Sequence, residues 1–372
     1  MRRVLVMAGV GALAVTMTAT PAVATPSATA MATWQTDGTV YAVAYAGDTI
    51  YLGGSFTSVR APGKSTTPVP RSNAAAFSAS TGQLLGWDPS ANGMVRAIAV
   101  GTGGTVYVGG QFSSVHGVSR RNVAAVTGDT GTATSWAPKP DALVRSIALS
   151  ADGATVYVGG NFATVSGVAR LRAVAVSAAT GSVMTGWKAD ATASGTTFTN
   201  VTTIDVAGST VYLGGNFQAV NGVSRANTAA VDATTGSVSP WKANTSVTIL
   251  GIAHDATRVF VVGRGSGGFL RAFNNTTGSQ LWSSSADGDV QAVAVRGSEV
   301  YVGGHFNAVK SVTRHHLAAL DAGTGSVLPW DPGVDGDLGI EAIATDPSHV
   351  AVGGLFTFIG GRSQQNFAQF AG

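Results

Sequence analysis

Short apolar runs of strand length recur along the whole chain, separated by clusters of Gly, Asp, Asn and Thr. No stretch sustains the 3.6-residue period of an amphipathic helix. Residues 95–100, 105–112, 122–126 and 132–136 form one set of four runs. Gly103-Gly104, Asp152-Gly153 and Gly208-Ser209 separate the first run from the second in their sets, and Thr81-Gly82, Thr180-Gly181, Thr235-Gly236 and Thr324-Gly325 separate the third from the fourth. These are hairpin connections in which Gly supplies a positive φ. The pattern predicts an all-β chain built from four-stranded antiparallel units.

The units repeat. An aromatic-aliphatic-Gly-Gly-x-Phe segment occupies residues 51–56, 107–112, 157–162, 212–217 and 301–306, with a weaker copy at 351–356 and a degenerate one at 260–265. A fixed long period marks a repeat architecture. Aligned on Gly53, Gly109, Gly159, Gly214, Gly263, Gly303 and Gly353, the copies predict seven units in a single domain spanning residues 25–372. Every Trp ends a fourth run: Trp34, Trp87, Trp136, Trp187, Trp241, Trp282 and Trp330. The last unit stops after its third run at Phe370, and Trp34 precedes the first complete unit. The N-terminal segment around Trp34 can therefore supply the missing strand beside Phe370 and close a ring, leaving no open sheet edge. The expected fold is a seven-bladed β-propeller. A parallel solenoid, the other architecture for such repeats, would require shorter periods and end caps.

Composition narrows the chemistry. The 372 residues contain no Cys, which removes disulfide scaffolds, thiolate zinc sites and cysteine nucleophiles. Arg2 and Arg3, an apolar stretch over residues 4–15, Pro21 and the small-x-small site Ala22-Val23-Ala24 read as an export signal over residues 1–24. The mature chain is then expected to be secreted and extracellular or wall-associated. The net charge of +3 includes that arginine pair, so the mature chain is almost neutral and nucleic acid is not the expected partner. No run after the N-terminus is long enough for a membrane span.

The Tyr-Val-Gly-Gly-x-Phe copies, followed by Gly-Val-Ser-Arg as at residues 117–120 and 222–225, resemble the delta-sixty-type repeats of secreted bacterial β-propellers. They are similar also to the propeller of fungal cortical-marker surface proteins. The resemblance implies a surface or extracellular propeller and leaves its activity open. Residues 272–282, with Thr277-Gly278 and Trp282, are similar to the tryptophan-docking motif of quinoprotein propellers. That likeness is read as shared packing, with no cofactor expected.

The string Gly263-Arg264-Gly265-Ser266-Gly267-Gly268 lies between two strands and opens no helix, so a hairpin is expected there rather than a phosphate loop. Asp287-Gly288-Asp289 and Asp335-Gly336-Asp337 offer oxygen atoms to calcium, but loop solvation or pairing with Arg71, Arg120, Arg170, Arg225 and Arg314 is the expected use of these acids, and no metal site is assigned. The recurrence of those arginines points to a structural duty in each unit.

Functional positions should be sought where copies disagree, because residues required by the unit must recur. Early in the first run the copies carry Tyr41, Arg96, Arg145, Thr202, Leu250, Gln291 and Glu341. At the x of Gly-Gly-x-Phe they carry Ser55, Gln111, Asn161, Asn216, His305 and Leu355, with Gly265 in the degenerate copy. Asp205 replaces an Ala found in the other copies. In a propeller both sets surround one mouth of the central channel. The expected ligand site is Arg96, Arg145, Asp205, Gln291, Glu341, Gln111, Asn161, Asn216 and His305. The expected function is non-catalytic recognition of an extracellular glycan or protein. The alternative is an extracellular hydrolase or lyase acting on a polymer, with Asp205 or Glu341 as acid-base groups beside Arg96 and Arg145.

Overall fold

The computed structural model describes residues 25–63, 67–195, 198–243, 245–265, 267–336 and 339–372. The expected export signal, residues 1–24, and Asp337 lie outside the described residues. One short 3₁₀ turn, Thr102–Gly104, is the helical element among them, and the rest is strand and turn. Among the described residues, no helix is long and apolar enough to cross a membrane.

Among the described residues, seven sheets share one order, with an inner, a middle and a third strand all antiparallel. In the second, Met94–Val100 pairs with Thr105–Gln111, which pairs with Val123–Thr127. The inner strands are Thr39–Ala46, Met94–Val100, Val144–Leu149, Asn200–Ala207, Ile249–His254, Asp289–Arg296 and Gly339–Thr345. Each packs on the next, and the last packs on the first. This closed ring of radial sheets is a β-propeller.

Closure is carried by residues slightly ahead of Trp34. Ser27 N–H donates to Ala371 O (2.7 Å) and Met31 N–H to Gln369 O (2.8 Å), while Arg362 Nε reaches Ala30 O (2.6 Å). The N-terminal segment therefore does run beside the last strand. Trp34 itself is half-buried and packs on Phe77 of the first sheet, which in turn stacks on Phe367 of the last.

The other six indoles fill the seams between sheets. Each donates its N–H across a seam: Trp87 to Thr127 O (3.0 Å), Trp136 to Ser177 O (2.9 Å), Trp187 to Asp232 O (3.2 Å), Trp241 to Asn274 O (2.9 Å), Trp282 to Ala322 O (2.9 Å) and Trp330 to Ser27 O (3.1 Å). The motif tyrosine packs against most of these rings, as where Tyr107 meets Trp136 edge-on at 5.1 Å. A buried indole removes roughly 150–250 Å² from water, an upper bound on the order of 4–6 kcal/mol. Trp187→Phe keeps an aromatic ring but loses indole volume and the seam hydrogen bond to Asp232 O, which retains Gly236 N–H at 2.8 Å, and chemical denaturation should show a loss of about 1–3 kcal/mol. Trp34→Phe, at the half-buried position, should cost less than about 1 kcal/mol.

The outer strands differ from expectation. A full fourth strand forms in the fifth sheet, Gln280–Ser284. In five others the outer segment shrinks to an isolated bridge, such as Val126 with Ala133 or Val231 with Val238. Sheet five has one residue fewer between its turn Gly278 and Trp282 than separates Gly236 from Trp241. In a strict two-residue alternation, an added residue reverses the facing of every later side chain. The chain therefore leaves the ladder to bring its indole into the seam.

The recurrent arginines secure these outer segments. Arg71, Arg120, Arg170, Arg225 and Arg314 each donate to the preceding carbonyl and, through the other guanidinium nitrogen, to an outer-segment carbonyl: Leu85, Thr134, Thr185, Ser239 and Leu328. Among these five, Arg314 also meets an acid, Asp331, at 3.5 Å.

The Gly-Gly pair has two separate causes. A Cβ on Gly109 would stand 2.5 Å from Val144 Cγ1 and 2.8 Å from Ile147 Cδ1, so the first Gly admits the next sheet's inner strand. A Cβ on Gly110 would stand 2.0 Å from Met94 O, a backbone atom of its own sheet. The same clash with an inner-strand carbonyl would arise at Gly54, Gly160, Gly215, Gly263, Gly304 and Gly354. Opposite each of these glycines the inner strand carries an extra residue.

Candidate functional site

That extra residue is a β-bulge, and it occurs in every inner strand. Pairing skips one position between Val40 and Ala42, Val95 and Ala97, Val144 and Ser146, Val201 and Thr203, Ile249 and Gly251, Val290 and Ala292, and Ile340 and Ala342. The skipped residues are Tyr41, Arg96, Arg145, Thr202, Leu250, Gln291 and Glu341. A bulge re-aims its side chain out of the pleat. All seven side chains, with Arg264, line one cavity of about 240 Å³ at the centre of the ring.

Three guanidinium groups and one carboxylate meet there. Arg96 lies 3.6 Å from Glu341 and covers the Tyr41 ring, its Cζ 4.7 Å from the centroid. The Gln291 amide donates to Glu341 Oε1 and Ile340 O, each at 3.2 Å. Arg145 Nε donates to Asn161 Oδ1 at 2.7 Å. The single Thr202 hydroxyl proton is shared between Gly214 O (3.1 Å) of its own sheet and Ile249 O of the next inner strand, tying adjacent sheets together. Burial, then the charges of Arg96 and Arg264, bring the Arg145 pKa down to about 10, so it stays cationic at neutral pH. Burial raises the Glu341 pKa, opposed by Arg96 and Arg264. The lining carries a formal excess of two positive charges, and Asp289 balances Arg264 from the rim at 3.2 Å.

Arg264 corrects the repeat alignment. Ile249 is opposite Gly263, just as Val95 is opposite Gly110, so Gly263 is the second glycine of its pair and Arg264, not Gly265, holds the x position. Val262 occupies the first glycine's place, and facing it is Gly251 where the other inner strands carry Ala or a larger residue. A Cβ on Gly251 would meet Val262 Cγ2 at 2.9 Å. This exchange of small and large partners is the signal in the sequence that could have identified the register. The glycine-rich string is a hairpin joining Arg258–Gly263 to Phe269–Asn274, as expected, with Ser266 outside the described residues.

The remaining expected site residues divide. Gln111 and Asn161 line a wider cavity of about 790 Å³ that shares Arg145 with the central one and has Phe198, 61% exposed, at its lip. Asn216 holds that lip, its Nδ2 donating to Phe198 O at 2.5 Å. Asp205 and His305 line neither cavity. Asp205 lies beyond the bulge in regular register with Tyr212, so its side chain enters the seam between sheets instead of the mouth. There it meets His254 Nδ1 at 2.6 Å, and this hydrogen bond raises the His254 pKa. His305 stacks on His316 with centroids 6.1 Å apart.

The described acids of the connections mainly accept backbone hydrogen bonds rather than pairing with the recurrent arginines. Asp37, Asp141, Asp287 and Asp335 accept backbone N–H groups from the start of the next hairpin, as where Asp37 Oδ1 takes Thr57 N (2.8 Å) and Ser58 N (3.0 Å). Burial opposes ionisation at these four, but the hydrogen bonds outweigh it and hold each carboxyl below its usual range. Among the described residues, no group of three His, Asp or Glu side chains gathers in a metal-binding arrangement.

Comparison with known proteins gives the fold independent support. A family model described as outer membrane protein assembly factor BamB matches residues 229–344, less than half of the chain. No curated protein matches the sequence. Among solved structures, the computationally designed Ika8 protein is similar, with a TM-score of 0.57 and 14% identity over 93% of this chain and 100% of that one. At that identity the likeness is one of fold alone.

Proposed function

We propose that the chain is a secreted seven-bladed propeller that binds an extracellular acidic glycan, with an anionic group of the sugar seated in the channel mouth. The observation that carries this reading is the convergence of Arg96, Arg145 and Arg264 on a cavity holding one carboxylate. Guanidinium groups present paired N–H donors in the geometry of a carboxylate or sulfate. Arg145 is desolvated and crowded by like charge, so an arriving anion relieves a cost already present in the free protein. The exposed Phe198 ring and the Gln111 and Asn161 amides beside it suit the apolar face and hydroxyls of a sugar. Glycoside hydrolysis generally uses two carboxyl groups about 5–10 Å apart. Glu341 meets half of that requirement through its raised pKa, but its neighbours are Arg96 and Gln291, and Asp205 is turned towards His254. Binding without turnover is therefore the favoured reading.

Calorimetric titration with galacturonate and galactose tests it: the acid should bind, the neutral sugar should not, and no product should form from a galacturonate polymer. Equal binding of both sugars, or product release, overturns it. The pH dependence has a definite sign. A raised Glu341 pKa means the group gains its proton above the ordinary glutamate range of about 4.3. Lowering the pH from neutrality towards that range removes the carboxylate charge from the lining. Affinity for galactose 6-sulfate, whose own charge does not change, should rise over that interval. Glu341→Gln should bind it severalfold more tightly at pH 7 and show a flat profile.

A further inference from the structure

The fifth blade lacks a part that the other six possess. Elsewhere a short hairpin joins the middle strand to the third, as in Ser114–Val115 with Val118–Ser119 or Ala308–Val309 with Val312–Thr313. In blade five the connection from Gly263 to Phe269 is a tight turn. The space left by the missing hairpin is a bay of about 390 Å³ beside the mouth.

The bay is cationic. Arg264, Arg271 and Lys310 line it, no Asp or Glu among the described residues does, and Ser246, Ser283 and Ser285 add hydroxyl groups. Arg271 makes a cation–π contact with the Phe269 ring, its Cζ 4.4 Å from the centroid, which helps hold the guanidinium in place. The far wall is tied by Lys310 N–H donating to Ser285 O at 2.9 Å. Arg264 lines both the bay and the central mouth, so its guanidinium stands between the two spaces.

We propose that the bay is a second anion subsite and that the ligand is a polyanionic glycan chain spanning both spaces, one acidic sugar in the mouth and another between Arg271 and Lys310. This deepens the acidic-glycan reading and rests on it. Serine hydroxyls interleaved with cations suit a chain rich in both hydroxyl and acidic groups. Two linked sites raise affinity without any new kind of contact, because the second event becomes intramolecular.

The test is titration with galacturonate and with its oligomers of increasing length. Affinity should rise by about tenfold or more once the chain is long enough to reach the bay. Arg271→Gln with Lys310→Gln should abolish that gain, and a thermal-unfolding midpoint matching that of the parent protein shows that the variant is folded. Lys310→Gln alone, at an exposed side chain, should remove part of the gain. A monomer that binds with no length dependence, or a length dependence untouched by either variant, overturns the second subsite and leaves the mouth reading standing. Absence of binding by monomer and oligomer alike overturns both.

Discussion

Gly110→Ala should destabilise the protein by about 3 kcal/mol and impair the mouth together with the fold. The new Cβ would meet Met94 O at 2.0 Å and the Val95 Cα at 3.0 Å. Both are backbone atoms of the bulge, so no side-chain rotation relieves the contact. Relief requires flattening the bulge, which turns Arg96 away from the axis. Urea denaturation should therefore shift to a lower midpoint, and whatever folded protein remains should bind galacturonate more weakly. Gly86→Ala is the control: its Cβ would meet nothing within 4 Å, and the change should stay within about 0.5 kcal/mol. A neutral effect at Gly110 would mean that the bulge tolerates its neighbour and that the motif has another origin.

Alanine at both Arg96 and Arg145 should abolish measurable galacturonate binding while leaving stability equal or slightly improved. The two effects separate because these side chains contribute little to blade packing. Arg145 is held under desolvation and like-charge repulsion from Arg96 and Arg264, so its removal relieves the folded state and offsets the loss of the Arg96–Glu341 pair, where Arg264 still faces the carboxylate. Losing a partner from a buried charged hydrogen bond costs binding about 2–5 kcal/mol, roughly a hundredfold or more in affinity. Titration read alongside thermal unfolding decides the matter. Unchanged affinity in the double variant would remove the mouth as the binding site.

The residues that the sequence made legible are those with a duty in every blade or in one blade alone. The Gly-Gly pair, the seam indoles and the clamp arginines recur because most blades use them in the same way. The mouth positions stood out for the opposite reason: a bulged side chain leaves the pleat, so blade packing places no demand on it, and the copies are free to differ. Arg264 was hidden because alignment on visible glycines misplaced its strand by one residue, and only the Gly251–Val262 exchange reveals the register. Asp205 breaks the Ala pattern as sharply as a mouth residue would, yet a residue facing the seam and one facing the axis look the same in one dimension. The outer strands were overcounted because a single added residue before Trp does not change the apolar pattern but does break the ladder. Phe198 belongs to a connection without repeat counterparts, so no comparison among copies could single it out.

The recurring bulge also separates heritable shape from chemical identity. Each inner strand donates one letter to a word read around the axis, and any letter can be rewritten without editing the grammar that holds the ring together. Tyr41, Arg96, Arg145, Thr202, Leu250, Gln291 and Glu341 spell one such word. The same scaffold could be taught a different vocabulary of guests by substitution at those places alone.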